Sequence, residues 1–365
     1  RYRVPLALCL RLFIPPEMRT GKVAETYRTY ARFAQDVPIK NAPQQAACLA
    51  FLKENGETDA ARLREQFGSA VNALVKKGGI VLDRRRVLRD PYKGVEGQAA
   101  EHVLTAAQRR AVAAIGATDK TVTLLHGVTG SGKTEVYLTL IADALAQGRT
   151  AIFLVPEISL TPQMLSQLRA RFGSAAAILH SGLSAGVRFD EWQRVREGSA
   201  RIAIGARSAV FAPVENIGII VLDEEHDGSY SSESATRYNT FDNALMRARH
   251  NGCKLVLGSA TPSVETYKRA LDGEFALVRM PDRINARPLP DVQIVDMRRE
   301  VKRGNPSPFS AALRERLESC LAEGQQAILF LNRRGYSQTV LCRDCGYVAK
   351  CEQCDVSLTY HSEEN

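Results

Sequence analysis

The run Gly127-Val128-Thr129-Gly130-Ser131-Gly132-Lys133-Thr134 places three glycines, a lysine and a hydroxyl in the spacing G-x-x-x-x-G-K-T. That combination holds phosphate. Glycines let the backbone wrap an anion so that successive N–H groups point at its oxygens, and a following helix adds its positive end. Lys133 supplies charge for the β and γ phosphates of ATP, and Thr134 offers a hydroxyl to Mg²⁺. A second run, Ile219-Ile220-Val221-Leu222-Asp223-Glu224-Glu225-His226, ends an apolar stretch in carboxylates. Asp223 is suited to holding Mg²⁺ through water, and Glu224 to orienting or deprotonating the attacking water. A strand ending in Asp-Glu can also be plain surface; the phosphate loop upstream gives it a partner. Gln108 precedes the loop by one helical segment and reads either as an adenine contact or as a solvated helix residue.

These groups need a scaffold that brings loop and carboxylates to one edge. From 104 to 290, apolar runs (Val122–Leu125, Ala151–Val155, Ala176–Leu179, Ile202–Ile204, Ile217–Leu222, Lys254–Leu257) alternate with helical patterns. That alternation predicts βαβ units and a parallel sheet covered on both faces, with ligands at the carboxyl ends of the strands. Upstream, residues 41–90 read as a winged-helix domain. Asn55-Gly56 stops a first helix, Thr58-Asp59 caps a second, Gly68-Ser69 turns into a third, and Gly78-Gly79 leads to a strand and wing at Ile80–Val87. Lys76, Lys77, Arg84, Arg85 and Arg86 there would touch DNA phosphates, with protein docking as the alternative. Residues 1–40 read as a connector from a preceding domain, and 91–103 as a polar linker. A second α/β region opens at 291–340, with a helix through Leu313, Leu317 and Leu321 and a strand at Ala327–Leu331.

Composition narrows the classes. The 365 residues carry a net charge of +9, compatible with a polyanionic partner such as nucleic acid. No stretch approaches the ~18 apolar residues of a membrane span, and no secretory signal opens the chain. Four of the eight cysteines fall in Cys342-x₂-Cys345 and Cys351-x₂-Cys354, within 341–365. Two such knuckles suit Zn²⁺ and a reducing, cytoplasmic compartment. One ion held by all four thiolates is geometrically possible. Cys9, Cys48, Cys253 and Cys320 read as ordinary small apolar residues. The chain starts at Arg1 without an initiator methionine and stops soon after the cysteines, so it reads as a segment of a longer protein.

Further segments carry a resemblance. Glu135-Val136-Tyr137 follow the phosphate loop, and Leu154-Val155-Pro156-Glu157-Ile158-Ser159-Leu160-Thr161 and Gly205-Ala206-Arg207-Ser208-Ala209 follow strands, where loops could grip a nucleic-acid backbone. His180-Ser181, Leu257-Gly258-Ser259-Ala260-Thr261-Pro262-Ser263 and Asn332-Arg333-Arg334-Gly335-Tyr336 complete the set. In this order they resemble the motifs of superfamily-two helicases, and in detail the primosomal replication-restart helicases, from the winged helix onward. The resemblance implies a RecA-like ATP-binding lobe at 104–290 and the start of a second lobe. It also implies 3′→5′ ATP-dependent unwinding at stalled or branched forks, by a bacterial, nucleoid-associated protein that assembles the primosome. DNA forks, single-stranded DNA, single-stranded-DNA-binding protein and other primosome proteins are the implied partners. Two zinc ions are implied too, each cysteine pair being completed by a later pair that this sequence does not contain.

Two departures stand out. The stretch Tyr230–Asp242 corresponds to an aromatic-rich coupling loop, yet Phe241 stands where the family commonly has Arg. The last helicase motifs, with the arginine finger of the second lobe, are not in this sequence, so the chain alone is expected to bind nucleotide and DNA with little unwinding. A fork-binding, partner-docking scaffold with weak ATPase is the competing reading. A recombination- or restriction-type translocase is disfavoured by the cysteine knuckles.

Overall fold

The computed structural model describes residues 4–19, 21, 23–89, 103–156, 161–232, 236–284, 291–305, 307–330, 347–348 and 350–351. The chain divides into two compact units, residues 1–287 and 288–365.

In the first unit, short helices α1 (Leu6–Phe13) and α2 (Pro16–Arg19) lead to strand β1 (Tyr27–Phe33). Then come α3 (Pro43–Asn55), β2 (Thr58–Asp59), α4 (Ala60–Phe67), α5 (Ala70–Lys76) and β3 (Ile80–Arg86). The predicted stops and caps have local causes. Gly56 and Gly68 end their helices at positive φ, and the Asp59 carboxylate accepts from Ala61 N–H at 2.8 Å. Leu49, Leu52, Leu63, Val71, Leu74 and Ile80 close a small core.

The sequence boundary at residue 41 does not hold as a structural one. Strand β1, inside the expected connector, is the middle strand of an antiparallel sheet ordered β2-β1-β3. It pairs with β3 along its whole length, from Tyr27 opposite Arg86 to Phe33 opposite Ile80. The expected wing is therefore replaced by an upstream partner, because β3 satisfies its backbone groups with β1. The arginines are also engaged. Arg85 forks onto Glu57 at 2.7 and 2.8 Å, Arg86 meets Glu197 at 2.7 Å, and Arg84 lies 4.4 Å over the Tyr27 ring. These pairings offset much of the charge that phosphate contact would use.

The rest of the first unit is α6 (Ala106–Ala117), β4 (Val122–Gly127), α7 (Lys133–Ala146), β5 (Thr150–Leu154), α8 (Pro162–Phe172), β6 (Ala176–Leu179), α9 (Ala185–Arg196), β7 (Ile202–Gly205), β8 (Ile217–Leu222), the two-residue strands β9 (Ser231–Ser232) and β10 (Tyr238–Asn239), α10 (Thr240–Asn251), β11 (Lys254–Ser259), α11 (Val264–Leu271) and β12 (Ala276–Met280). Among the described residues the main sheet has seven parallel strands ordered β12-β4-β11-β8-β5-β7-β6. Alternation in β5 sorts its side chains. Ala151, Phe153 and Val155 face one core with residues of α6, α7 and α8, whereas Ile152 and Leu154 face the other with residues of α10 and α11. This is the doubly covered RecA-like lobe. Strand β12, absent from the sequence expectation, adds an edge beside β4.

The second unit carries α12 (Met297–Lys302) and α13 (Ala311–Ala322). Of the strand expected at Ala327–Leu331, residues 327–330 are described and form no strand; Leu331 lies outside the described residues. Residues 325–330 have no regular structure, and Ile328 and Phe330 are almost fully exposed. Their backbone finds no strand to pair with among the described residues, and apolar composition alone does not make a strand.

The β1–β3 module is tied to the main lobe by a buried carboxylate. Asp190 of α9 is fully buried, and its Oδ2 accepts from Arg89 N–H at 3.0 Å and from the Arg89 guanidinium at 3.1 Å. Arg89 also donates to Gly186 O and Ala24 O, both at 3.0 Å. Arg89→Ala leaves the buried Asp190 carboxylate without its countercharge, with the backbone N–H as its remaining donor from residue 89, and is expected to lower unfolding free energy by ~3 kcal/mol. Urea denaturation measures this, and adding Asp190→Asn should recover part of the loss. A change below ~1 kcal/mol for Arg89→Ala would contradict the tie.

Candidate nucleotide site

The phosphate loop starts at Gly127, the last residue of β4, and ends as α7 begins at Lys133. Gly132 sits at φ 83°, and a Cβ there would meet Gln108 Nε2 and come within 2.7 Å of Ile284 Cδ1. The positive φ is what favours glycine there. The loop is braced from outside by β12 and the residues after it. Val128 N–H donates to Met280 O at 3.1 Å, and Ile284 N–H to Gly130 O at 2.9 Å. The unrecognised strand is thus part of the site.

Lys133 is buried, and its Nζ donates to Gly127 O at 2.9 Å. Beside it, Ser131 Oγ is buried with no hydrogen-bond partner. An ammonium held on the loop's own carbonyl and an unpaired buried hydroxyl fit a loop built for phosphate oxygens. Gln108 is not the solvated alternative: it is 3% exposed. Its Oε1 accepts from Thr105 N–H at 2.7 Å and its Nε2 donates to Gly132 O at 3.2 Å, clamping α6 to the loop.

The acidic strand β8 delivers its carboxylates to the same edge. Asp223 N–H donates to Leu154 O at 2.9 Å. Asp223 Oδ1 accepts from the Tyr137 hydroxyl of α7 at 3.0 Å, and Asp223 O accepts from the Tyr230 hydroxyl at 2.7 Å. Burial, then the charge of Glu224, raises the Asp223 pKa to about 6, against the lowering effects of Tyr137 and Lys133. Burial and the same carboxylates push both phenols up, keeping them protonated donors. A carboxylate this costly to ionise is suited to a divalent cation, so Asp223, with Thr134 on the first turn of α7, fits Mg²⁺ beside a triphosphate.

Glu224 adopts φ 46°, a backbone conformation rare outside glycine. The next two residues, not singled out from sequence, tie this turn to the loop after β11. Glu225 accepts from Ser263 N–H at 2.7 Å, Ser263 Oγ at 3.2 Å and Thr266 Oγ1 at 3.0 Å. His226 Nδ1 lies 2.8 Å from Ser259 Oγ and 3.6 Å from Glu224 Oε2, and its Nε2 lies 3.4 Å from Thr261 Oγ1. The Ser-Ala-Thr segment is thus joined to the acidic strand by side chains. Arg207, in the loop after β7, lies 3.4 Å from Ser229 O and 3.3 Å from Ser231 O. Phe241 packs at 6.1 Å from the Phe275 ring, against the core.

Several expected site residues cannot be placed. Residues 157–160, 233–235 and 332–336 lie outside the described residues, as do Cys342, Cys345 and Cys354 of the cysteine cluster. Cys351 is described and half-buried. No helix among the described residues is long and apolar enough to cross a membrane.

The raised Asp223 pKa has a sign that can be checked. Without metal, ionised Asp223 opposes folding, so its contribution worsens as pH rises from about 4 to about 6 and is constant above. Asp223→Asn keeps an acceptor for Tyr137 and removes the charge. At pH 8 it should be more stable than the parent by about 2–3 kcal/mol, with the gain fading towards pH 4. Melting curves at both pH values decide it; a variant less stable at pH 8 contradicts this account of burial.

A DEAD/DEAH box helicase family model matches residues 105–270. The replication restart protein PriA of Bacillus subtilis (strain 168) is 47% identical over 333 residues, covering 88% of this chain and 41% of that protein. The PriA protein of Synechocystis sp. is 44% identical over 89% of this chain and 40% of its own length. That of Haemophilus influenzae is 33% identical over 100% of this chain and 51% of its own. The chain therefore spans about half or less of the length of these curated relatives. Over the length it spans, the chain is similar to these replication restart proteins.

Proposed function

We propose that this chain supplies the nucleotide-hydrolysing lobe of an ATP-dependent 3′→5′ DNA helicase that acts at stalled or branched replication forks and initiates primosome assembly. The observation that carries the proposal is the meeting of two carboxylates with a phosphate loop at one sheet edge. Asp223 is hydrogen-bonded to the helix that begins at Lys133, and Glu224 follows it in a constrained turn. Relatives named as replication restart proteins support the fork assignment.

Backbone N–H groups from Gly127 to Gly132 would cradle the phosphates, and Lys133 would leave Gly127 O to neutralise the β and γ oxygens. Thr134 and Asp223 would hold Mg²⁺, which would supply neutralising charge for the phosphates. Glu224 would orient the attacking water and take its proton. Gln108, adjacent to Gly132, is placed to read adenine while bracing the loop. Ser259 and Thr261, held by His226, would sense the change at the γ-phosphate. Loops after β5 and β7, the latter with Arg207, would contact single-stranded DNA through phosphates.

The upstream module has the helix order of a winged helix. Because Arg85 and Arg86 are paired internally, its better-supported role is docking, with DNA contact secondary. The cysteine pairs Cys342/Cys345 and Cys351/Cys354 are proposed as zinc ligands, completed in the family pattern by later cysteines. Single-stranded-DNA-binding protein and other primosome proteins are the proposed partners, in a bacterial cytoplasm at the nucleoid. The scaffold reading is less favoured, since Lys133, Thr134, Asp223 and Glu224 are all present at the site.

Lys133→Ala in the full-length protein tests the assignment. Phosphate release should fall to background while binding to forked DNA, followed by fluorescence anisotropy, stays within about threefold of the parent. Turnover unchanged in the variant sinks the hydrolytic assignment, and a parent rate indifferent to forked DNA favours the scaffold.

A further inference from the structure

Strand order creates a gap inside the site. The phosphate loop leaves β4 and the acidic pair leaves β8, but β11 lies between them. Two inter-strand spacings amount to roughly 10 Å, too far for the backbones of loop and acidic strand to hold one another. Something must cross β11 to keep Asp223 in register with the loop.

Tyr137 makes that crossing. It lies four residues after Lys133 in α7, so both side chains leave the same face of the helix. Its side chain is fully buried, and the ring packs 5.8 Å from Phe153 of β5. Its hydroxyl reaches Asp223 Oδ1 at 3.0 Å. The passage exists because residue 258 of β11 is glycine. A Cβ there would overlap the Tyr137 hydroxyl and sit 3.2 Å from Asp223 Oδ1. One helix and three strands therefore converge on a single phenol–carboxylate bond, and the strand in the middle has given up its side chain to admit it.

We infer that Tyr137 is a positioning residue for the divalent cation: by donating to Asp223 Oδ1 it fixes the carboxylate plane and leaves Oδ2 facing the metal. Tyr230, donating to Asp223 O from the other side, anchors the backbone of the same residue. The phenol ties the metal-binding carboxylate to the helix that carries Lys133 and Thr134, so phosphate and metal groups move as one body. This inference rests on the hydrolytic reading of the site.

Tyr137→Phe removes one oxygen and keeps the ring. Removing the hydrogen-bond partner of a metal-binding carboxylate typically costs 10–100-fold in metal affinity or activity. The Mg²⁺ concentration giving half-maximal ATP hydrolysis should therefore rise roughly tenfold, while affinity for ADP measured in EDTA stays unchanged. A purely structural role would instead lower the melting temperature and leave the Mg²⁺ dependence as it was; that outcome overturns the inference. Independent of turnover, the extra thermal shift that Mg²⁺ gives to the ADP-bound protein should shrink in Tyr137→Phe. It should shrink no further when Tyr137→Phe is added to Asp223→Asn, and additive losses also overturn the inference. If the full-length parent hydrolyses no ATP at any Mg²⁺ concentration, the hydrolytic reading fails; if it does and the Phe variant of the same full-length protein shares its Mg²⁺ curve, only the role of Tyr137 fails.

Discussion

The site depends on holding a half-buried carboxylate across an intervening strand. In a parallel sheet the ligand edge is set by topology, and the order β4-β11-β8 puts one strand between phosphate loop and acid. The strands fix the direction in which Asp223 emerges but not its distance to the loop. That distance is set by side chains from outside the sheet: the Tyr137 phenol over Gly258, the Tyr230 phenol on the backbone of Asp223, and Glu225 on the start of α11. Each compensates something unfavourable. The phenols hydrogen-bond a group that burial makes expensive to ionise, and Glu225 pins a turn whose preceding residue is in a strained conformation.

How much of this could be read from sequence follows from range. The phosphate loop, its strand and its helix are local, and the spacing of glycines with Lys133 and Thr134 specifies them. The caps at Gly56, Asp59 and Gly68 are equally local. Pairing partners are not. Strand β1 was placed in a connector because nothing within it states that Ile80–Arg86, almost fifty residues on, will pair with it. The run Ala276–Met280 carries an apolar signal, yet its importance comes from lying beside β4 and giving Met280 O to Val128. The reverse error occurred at Ala327–Leu331, where composition suggested a strand that has no pairing partner among the described residues.

Basic residues illustrate the same limit for function. Arg84, Arg85 and Arg86 form a charge run that reads as a phosphate-binding face. In the fold each meets a different internal group: an aromatic ring, Glu57, and Glu197 of the main lobe. With Arg89 on Asp190, the run becomes partly a fastening between the upstream module and α9. Net charge is legible in sequence, but whether it is free to meet a polyanion depends on where carboxylates distant in the chain fall.

The four residues Asp223-Glu224-Glu225-His226 show how closely roles can be divided along a strand end. Asp223 is still in register with β5, through Leu154 O, and is half-buried. Glu224 turns at positive φ, which breaks the strand's alternation, and its carboxylate lies 3.6 Å from His226 Nδ1. Such a conformation costs on the order of 1–3 kcal/mol and persists only if neighbours over-determine it. Here they do. Glu225 N–H donates to Gly258 O, Asp227 N–H donates to Glu224 O, and the Glu225 carboxylate takes three further bonds from Ser263 and Thr266. His226 then faces Ser259 and Thr261. Glu225 accepts more hydrogen bonds than either proposed catalytic carboxylate. The geometry that would let Glu224 act on water is thus maintained by the residue after it, so a substitution at Glu225 should disturb catalysis and the Ser-Ala-Thr segment together.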